Sequence, residues 1–356
     1  MKKVIFISAL AIAAAVSCTK SDIVDTKFNE QISFETYTGR TAMTKAAETT
    51  KANLTAASLY GFYTGEEGWN TSSKANLWNP ITLSINNGVV AEFDDDDKRY
   101  WANADDMYTF LAYAPIATGA EEGGNGLVVS TTTDEGENPT LTYTVNPDLT
   151  KQIDLLYATP VETNKDEVDN AGGKVKLQFN HALSRVTVNA KAAVGPLEFH
   201  IKDITLSGAF YTKASFTLKD PTKWNYITTA TTEDPAEYNF YNNTAAAGTT
   251  AAVALPEDAT YKNYASDKVT ASNEPNNYLM MIPTTAAAVL TVKYTTYYMN
   301  QESQEFTRTF DITGGFEAGK AYAFNLDFAQ TSSEILFSVD VTSWVDGTNA
   351  TITERE

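Results

Sequence analysis

Apolar and polar residues alternate with a period of two along most of this chain, and no segment carries a sustained apolar stripe of period 3.6. In 321–328, Tyr322, Phe324, Leu326 and Phe328 share one side, and Ala323, Asn325 and Asp327 the other. Before residue 163 the pattern predicts strands beginning at QISFETY (31–37), SLYGFYT (58–64), ITLSI (81–85), VVAEF (89–93), MYTFLAYA (107–114), LTYTV (141–145) and DLLYAT (154–159). Pro115 ends the fifth of these or sets it at an edge. After residue 174 come KVKLQFNHALSRVTVNA (174–190), FHIKDITLSG (199–208), SFTL (215–218), NYLMMIP (277–283), AYAFNLDF (321–328) and EILFSVDVTSW (334–344). VLTVKYTTYYM (289–299) and EFTRTFDI (305–312) read as a hairpin across Asn300–Ser303. Many short strands separated by turn residues imply antiparallel sandwiches rather than α/β layers.

The polar stretch 163–174, with Gly172-Gly173 near its end, marks a boundary between two halves of similar length and strand count. The expected organisation is a leader over 1–17, a solvated tether over 18–29, and β-sandwich domains over 30–173 and 174–356. Thr41 to Ser58 is Ala-rich but interleaved with Thr and Asn, and reads as irregular chain or, at most, a frayed helix.

The N-terminus changes the picture from a generic β protein to an exported one. Met1-Lys2-Lys3 precedes an apolar run, Val4–Val16, too short to span a bilayer as a stable helix. The only cysteine, Cys18, stands where such a signal ends, and Ala15-Val16-Ser17-Cys18 resembles a bacterial lipobox, which implies acylation of the thiol and cleavage before it. Several acyl chains at about 0.8 kcal/mol per buried CH₂ would anchor the protein to an outer membrane.

Charge and composition then exclude functions. A net charge of −19 repels phosphate backbones and argues against nucleic-acid partners. Two histidines and one cysteine leave little for zinc or thiol chemistry, and no catalytic or cofactor-binding motif is evident. The acidic run Asp94–Asp97 offers oxygen ligands that suit Ca²⁺, but it lacks the spacing and turn glycine of an EF-hand loop and reads as a solvated hairpin tip. His181 shares a face with Leu177, Phe179 and Leu183, as a core histidine with a hydrogen-bond partner would. The face then shifts to Val186 and Val188, implying a bulge near Ser184-Arg185. Trp69, Trp78, Trp101, Trp224 and Trp344 serve as core residues or, alternatively, as a sugar-stacking platform.

FNHALSRVTV (179–188), FEAGKAYAFNLDF (316–328), FSVDVTSWVDG (337–347), YTFLAYAP (108–115) and DLLYATP (154–160), taken in this order, resemble the signature stretches of the Bacteroidales fimbrillin family. The resemblance implies two tandem transthyretin-like β-sandwich domains, a non-enzymatic role, and a lipoprotein precursor. That precursor would be cut by a trypsin-like protease and polymerised by strand exchange into an adhesive surface fimbria. Its partners would be copies of itself or other fimbrial subunits, the maturation protease, outer-membrane lipid through Cys18, and a surface receptor. No cofactor is implied.

Residues 31–38 fit a covering strand at the edge of the N-terminal sheet, with Ile32, Phe34 and Thr36 inward and Ser33, Glu35 and Tyr37 outward. Arg40 follows directly, in a polar stretch expected to be exposed, and Lys45 is a second basic site; cleavage at either would free the strand from the body. The bland alternative for Arg40 is a solvated loop residue. EILFSVDVTSW, with Ile335, Phe337, Val339 and Val341 on one face, fits a strand to be donated, or one that completes its own sandwich. The alternative function is a lipid-anchored, glycan- or host-binding surface lipoprotein that never polymerises.

Overall fold

The structure is a computed structural model. It describes residues 30–38, 53–70, 73–121, 123–130, 138–231, 235–242, 255, 262–263, 278–299, 301–331 and 334–344. Cys18, the tether, Arg40 and Lys45 lie outside them.

In chain order the strands are β1 (Phe34–Thr38), β2 (Ala56–Gly65), β3 (Trp78–Asn86), β4 (Val89–Val90), β5 (Met107–Ala114), β6 (Leu127–Ser130), β7 (Thr140–Thr144), β8 (Leu156–Ala158) and β9 (Val161–Thr163). Helix α1 (Lys165–Asn170) follows, then β10 (Val175–His181), β11 (Ser184–Ala192), β12 (Leu197–Gly208), β13 (Tyr211–Thr217), β14 (Asp220–Thr229) and β15 (Ala236–Asn242). The last are β16 (Lys262–Asn263), β17 (Leu279–Met281), β18 (Ala288–Tyr298), β19 (Gln301–Ile312), β20 (Lys320–Phe328) and β21 (Ile335–Ser343).

The all-β reading holds, but the N-terminal half is a closed barrel rather than a sandwich. Seven strands run β2-β3-β4-β1-β10-β8-β5, and pairing of β2 with β5 closes the ring; β9 adds beside β5. The β1–β10 pair is parallel, as is β11–β20 farther along. β11, β16, β17, β20 and β21 form one sheet of the C-terminal half, and β15-β12-β18-β19 the other. The hairpin expected across Asn300–Ser303 is β18–β19, in register from Ala288↔Ile312 to Tyr298↔Gln301. A third sheet, β14-β13-β7-β6, takes two strands from each half.

Pairing therefore crosses the boundary expected at 173/174. β10 lies beyond it in sequence yet sits in the barrel between β1 and β8. Residues 163–174 hold the short helix α1, whose first turn is capped by Asn164 accepting from the Glu167 amide. Instead of the bulge expected near Ser184-Arg185, the chain leaves the barrel after His181, turns through Ala182-Leu183, and enters the C-terminal sheet at Ser184. That change of sheet accounts for the change of parity.

β2 and β5 read as nearly continuous apolar runs because both faces are covered. Ala57, Leu59, Phe110 and Ala112 join the barrel core. Tyr60, Phe62, Leu111 and Tyr113 belong to the second core with Leu141, Tyr143 and Phe216 of the third sheet. Gly61 is required by close approach: a Cβ there would lie 2.4 Å from the ring of Trp78.

The buried tyrosines set an alkaline limit on stability. Burial pushes the Tyr238 hydroxyl up to about 12 and raises that of Tyr143; Tyr63, donating to the Asp106 carboxylate, is also pushed up to about 12. An unfolded tyrosine ionises near 10. Folding therefore favours the protonated form, so this stability is complete below about pH 10 and is lost as pH rises toward about 12. Tm measured from pH 9 to 12 is expected to fall above about pH 10, in step with tyrosinate absorbance. A Tm unchanged through this range would contradict the assignment.

Candidate assembly site

β1 is a stave of the barrel and has neighbours on both flanks, which corrects the expectation of an edge strand. The two flanks differ. Toward β10 the ladder is continuous, from Phe34↔Val175 to Thr38↔Phe179, and the Val175 amide donates to the Ser33 carbonyl at 2.9 Å. Toward the other side the pairing is broken into two short pieces. Glu35 opposes Val89, with the Thr36 amide donating to the Gly88 carbonyl at 3.0 Å. Farther back, Gln31 opposes Tyr100, and the Ile32 amide donates to the Arg99 carbonyl at 2.9 Å.

The inward parity is the one expected from the sequence. Ile32, Phe34 and Thr36 are 0, 2 and 3% exposed. The Phe34 ring sits edge-on to Phe110 at 5.1 Å and to Trp78 at 5.8 Å, with Phe93 at 6.1 Å. The Thr36 hydroxyl is buried and finds no hydrogen-bond partner among the described residues.

Outward, Glu35 pairs with Lys176 at 3.8 Å and Tyr37 donates to the Gln178 side chain at 3.4 Å. Ahead of the strand, Glu30 pairs at 2.8 Å with the largely buried Lys165, whose ammonium also meets Asp169; the Asp169 and Glu30 carboxylates raise its pKa.

The acidic run is a turn beside this slot. Lys98 pairs with Asp95, the Trp78 indole donates to the Asp97 carbonyl at 2.8 Å, and Arg99 donates to the carbonyls of Leu77 and Asp96. These contacts hold Arg99–Trp101 against the start of β1. Asp94, Asp95 and Asp96 are exposed, as a solvated tip requires, and the Lys98-Arg99 pair that ends the run ties it to the neighbouring chain.

β21 is the other candidate element. It pairs only with β20, from Lys320↔Ser343 to Phe328↔Ile335, so one flank is unpaired among the described residues. Ile335, Phe337, Val339 and Val341 pack against the core but are only partly buried, and Leu336 is 61% exposed. Phe337 stacks on Phe310 of the facing sheet at 4.7 Å. Just past the strand, Trp344 is buried; its amide donates to the Gly319 carbonyl at 2.7 Å. Its indole stacks on His181 at 3.9 Å and lies under the Arg185 guanidinium. His181 in turn meets Asp154 at 2.9 Å, the partner expected of a core histidine.

The other tryptophans pack as core residues: Trp78 and Trp101 are buried in the barrel, and Trp69 and Trp224 are partly buried against the second core. His200 lies 3.4 Å from Glu198.

A sequence model described as fimbrillin-like matches residues 44–344. The fimbrium subunit Fim1C of Phocaeicola vulgatus is 22% identical over 191 residues, covering 52% of this chain and 50% of that protein; the matched part thus spans about half the length of that relative. The crystal structure of a fimbrial protein from Bacteroides vulgatus superimposes with a TM-score of 0.65 at 18% identity, covering 89% of this chain and 100% of that one. A Bacteroides uniformis structure, provisionally described as a cell adhesion protein, gives 0.50 at 17% identity, covering 88% and 98%. At these identities the structures share the fold.

Proposed function

The chain belongs to the fimbrillin-like family, and on that premise we propose that it is a structural subunit of an adhesive surface fimbria, matured by removal of β1 and polymerised by strand exchange. The observation that carries the proposal is the position of β1: neighbours on both flanks weigh against easy release, but the second flank is only the two short pieces at Val89 and Tyr100. The strand fills a barrel slot with two apolar side chains and an unsatisfied hydroxyl, and it joins the rest of the barrel covalently only through residues 39–55.

The physics of release follows from that connection. Burial of Ile32 and Phe34 contributes about 1.5–3 kcal/mol each, beside the β10 ladder. While the link is intact, a short tether keeps the strand at an effective concentration on the order of mM. Cleavage after Arg40, or after Lys45, makes rebinding bimolecular. A drop from mM to μM is worth about 4 kcal/mol. Cys18 would carry the lipid anchor of the precursor and leave with the same fragment. The incoming strand would come from β21 of another copy, and donor and acceptor surfaces that differ generate an open filament. The fibre would lie outside the cell, bound to the outer membrane until maturation, with a surface receptor as its adhesive partner.

One observation favours the second reading, a lipid-anchored binding protein that never polymerises: β21 is fully paired with β20 and fixed at its end by Trp344.

An Arg40→Ala, Lys45→Ala double variant separates the two. It is expected to accumulate as uncut membrane-bound precursor without filament ladders on a denaturing gel, while the parent chain begins at Thr41 or Ala46. Unchanged ladders from the double variant would contradict the cleavage step.

A further inference from the structure

The tryptophans that could have stacked on sugars pack as core residues, but the sheet β15-β12-β18-β19 carries a site of another kind. Its inner face is apolar, with Ile204, Leu206, Leu290 and Val292 in the core. On its outer face a depression of about 310 Å³ lies across β15, β12 and β18, and all eight residues that line it are polar. We propose that this depression binds a saccharide, gripping a pair of neighbouring hydroxyls between the Asp203 carboxylate and the Lys293 ammonium. This names the receptor class of the adhesive reading above and rests on it, independently of strand exchange.

Irregular pairing puts Asp203 there. Against β18 the register slips between Ile201 and Asp203, and against β15 it slips between Ile204 and Thr205. Plain alternation from the buried Ile201 would send Asp203 into the core and Ile204 outward; the slip reverses both. Bulges of this kind re-aim side chains and recur beside functional sites. Asp203 thereby stands between Asn242 and Lys293, with Asn239, Thr205 and Thr291 side by side in the next row.

The carboxylate is fixed before any ligand arrives. Asp203 is 7% exposed although it lies on the outer face. The Asn239 side-chain amide donates to its Oδ1 at 3.0 Å, and the Thr205 hydroxyl donates to its Oδ2 at 3.3 Å. Its cation is set more loosely. Lys293 Nζ stands 3.5 Å from Oδ2, beyond the length of about 2.7–2.9 Å typical of a close charge-assisted bond, and its side chain is half-buried. A hydroxyl is donor and acceptor at once. One entering here accepts from the ammonium and donates to the carboxylate, and its neighbour on a sugar ring completes the grip. The Asn239 amide oxygen, buried and without a hydrogen-bond partner among the described residues, is an acceptor that the protein itself leaves unmet.

Other ligands fit worse. Lys293 occupies the place a metal ion would take, and the described residues hold no group of three or more carboxylate, histidine or cysteine side chains suited to one. Asp203 and Glu237 repel phosphate and sulfate. An apolar ligand would leave polar groups stranded. The depression faces away from the sheet that holds β21 and lies outside the barrel, so the uncut chain already carries it.

The uncut chain is titrated with the methyl glycosides of mannose, galactose, fucose, glucose and N-acetylglucosamine, read by saturation-transfer NMR. At least one is expected to bind. Asp203→Asn and Lys293→Met are each expected to weaken it about tenfold or more, the loss of a hydrogen bond to a charged group. One monodeoxy analogue of that glycoside is expected to lose as much with the parent chain and little more with Lys293→Met. Lys293 is half-buried, so its replacement keeps the test valid should Asp203→Asn fail to fold. No binding by any of the glycosides, or unchanged affinity in Lys293→Met, would overturn the site. Attachment of filament-bearing cells to a mucin-coated surface separates this inference from the reading it rests on. Attachment that persists in Lys293→Met filaments would keep adhesion and overturn the site as its means. Parent filaments that never attach would overturn the adhesive reading, while the titration still judges the site.

Discussion

Phe34→Ala is expected to lower the stability of the uncut chain by about 3–5 kcal/mol, the largest effect of any single change in β1. The ring is 2% exposed and meets three aromatic partners, each in an edge-on arrangement. Its removal leaves a cavity whose walls cannot collapse, because Trp78 is held by its indole bond to Asp97 and lies against Gly61. The loss falls on a barrel whose ring closes through β1, so opening there separates β10 from β4. Urea unfolding of the variant measures it. Tyr37→Ala, on the outward face of the same strand, is expected to change stability by less than about 1 kcal/mol. Equal effects from the two would mean that β1 is not seated inward by Phe34.

Trp344→Ala carries the second large effect, about 3–5 kcal/mol. It differs from the first in where the loss appears. Trp344 fastens the end of β21 to the point where the chain passes from barrel to sandwich, through the His181 stack, the Arg185 guanidinium and the Gly319 carbonyl. Without the indole, the Val341–Ser343 end of β21 should fray from β20, leaving the His181 ring its contact with Asp154. Hydrogen exchange is expected to show lost protection along β21 with β1 unchanged, since the two strands share no ladder. Protection lost equally in both would mean that the barrel and the sandwich open as one unit. In the assembly reading the same change frees the donor strand, so Trp344→Ala protein cut after Arg40 should polymerise faster.

Strand positions were legible in the sequence wherever one face meets solvent. β1 shows a clean period of two, and the inward set Ile32, Phe34, Thr36 follows from it. Strand partners were not legible. Nothing in QISFETY distinguishes an edge from a stave, because the second flank of β1 is made by two short pieces of chain far away, Gly88-Val89 and Arg99–Trp101. The run 174–190 looked like one strand with a bulge. Its parity shift arises because β10 and β11 belong to different sheets. β14 escaped notice for another reason: its pattern is almost wholly exposed, and an exposed edge strand needs no alternation to form. The buried partner of His181 was expected, but its identity, Asp154, needed the fold. The same holds for the unpartnered hydroxyl of Thr36, which looks unremarkable in sequence and matters only because β1 is a stave.

The account depends on β1 being a removable stave, and one measurement tests that directly. Protein cut after Arg40 is followed by native mass spectrometry as it assembles, with far-UV circular dichroism recorded in parallel. The account predicts that the N-terminal fragment first stays with the barrel without a covalent bond, then leaves one for one as subunits join, while the β signal persists. A fragment that remains in the finished assembly, or that leaves only when the β signal collapses, would contradict it.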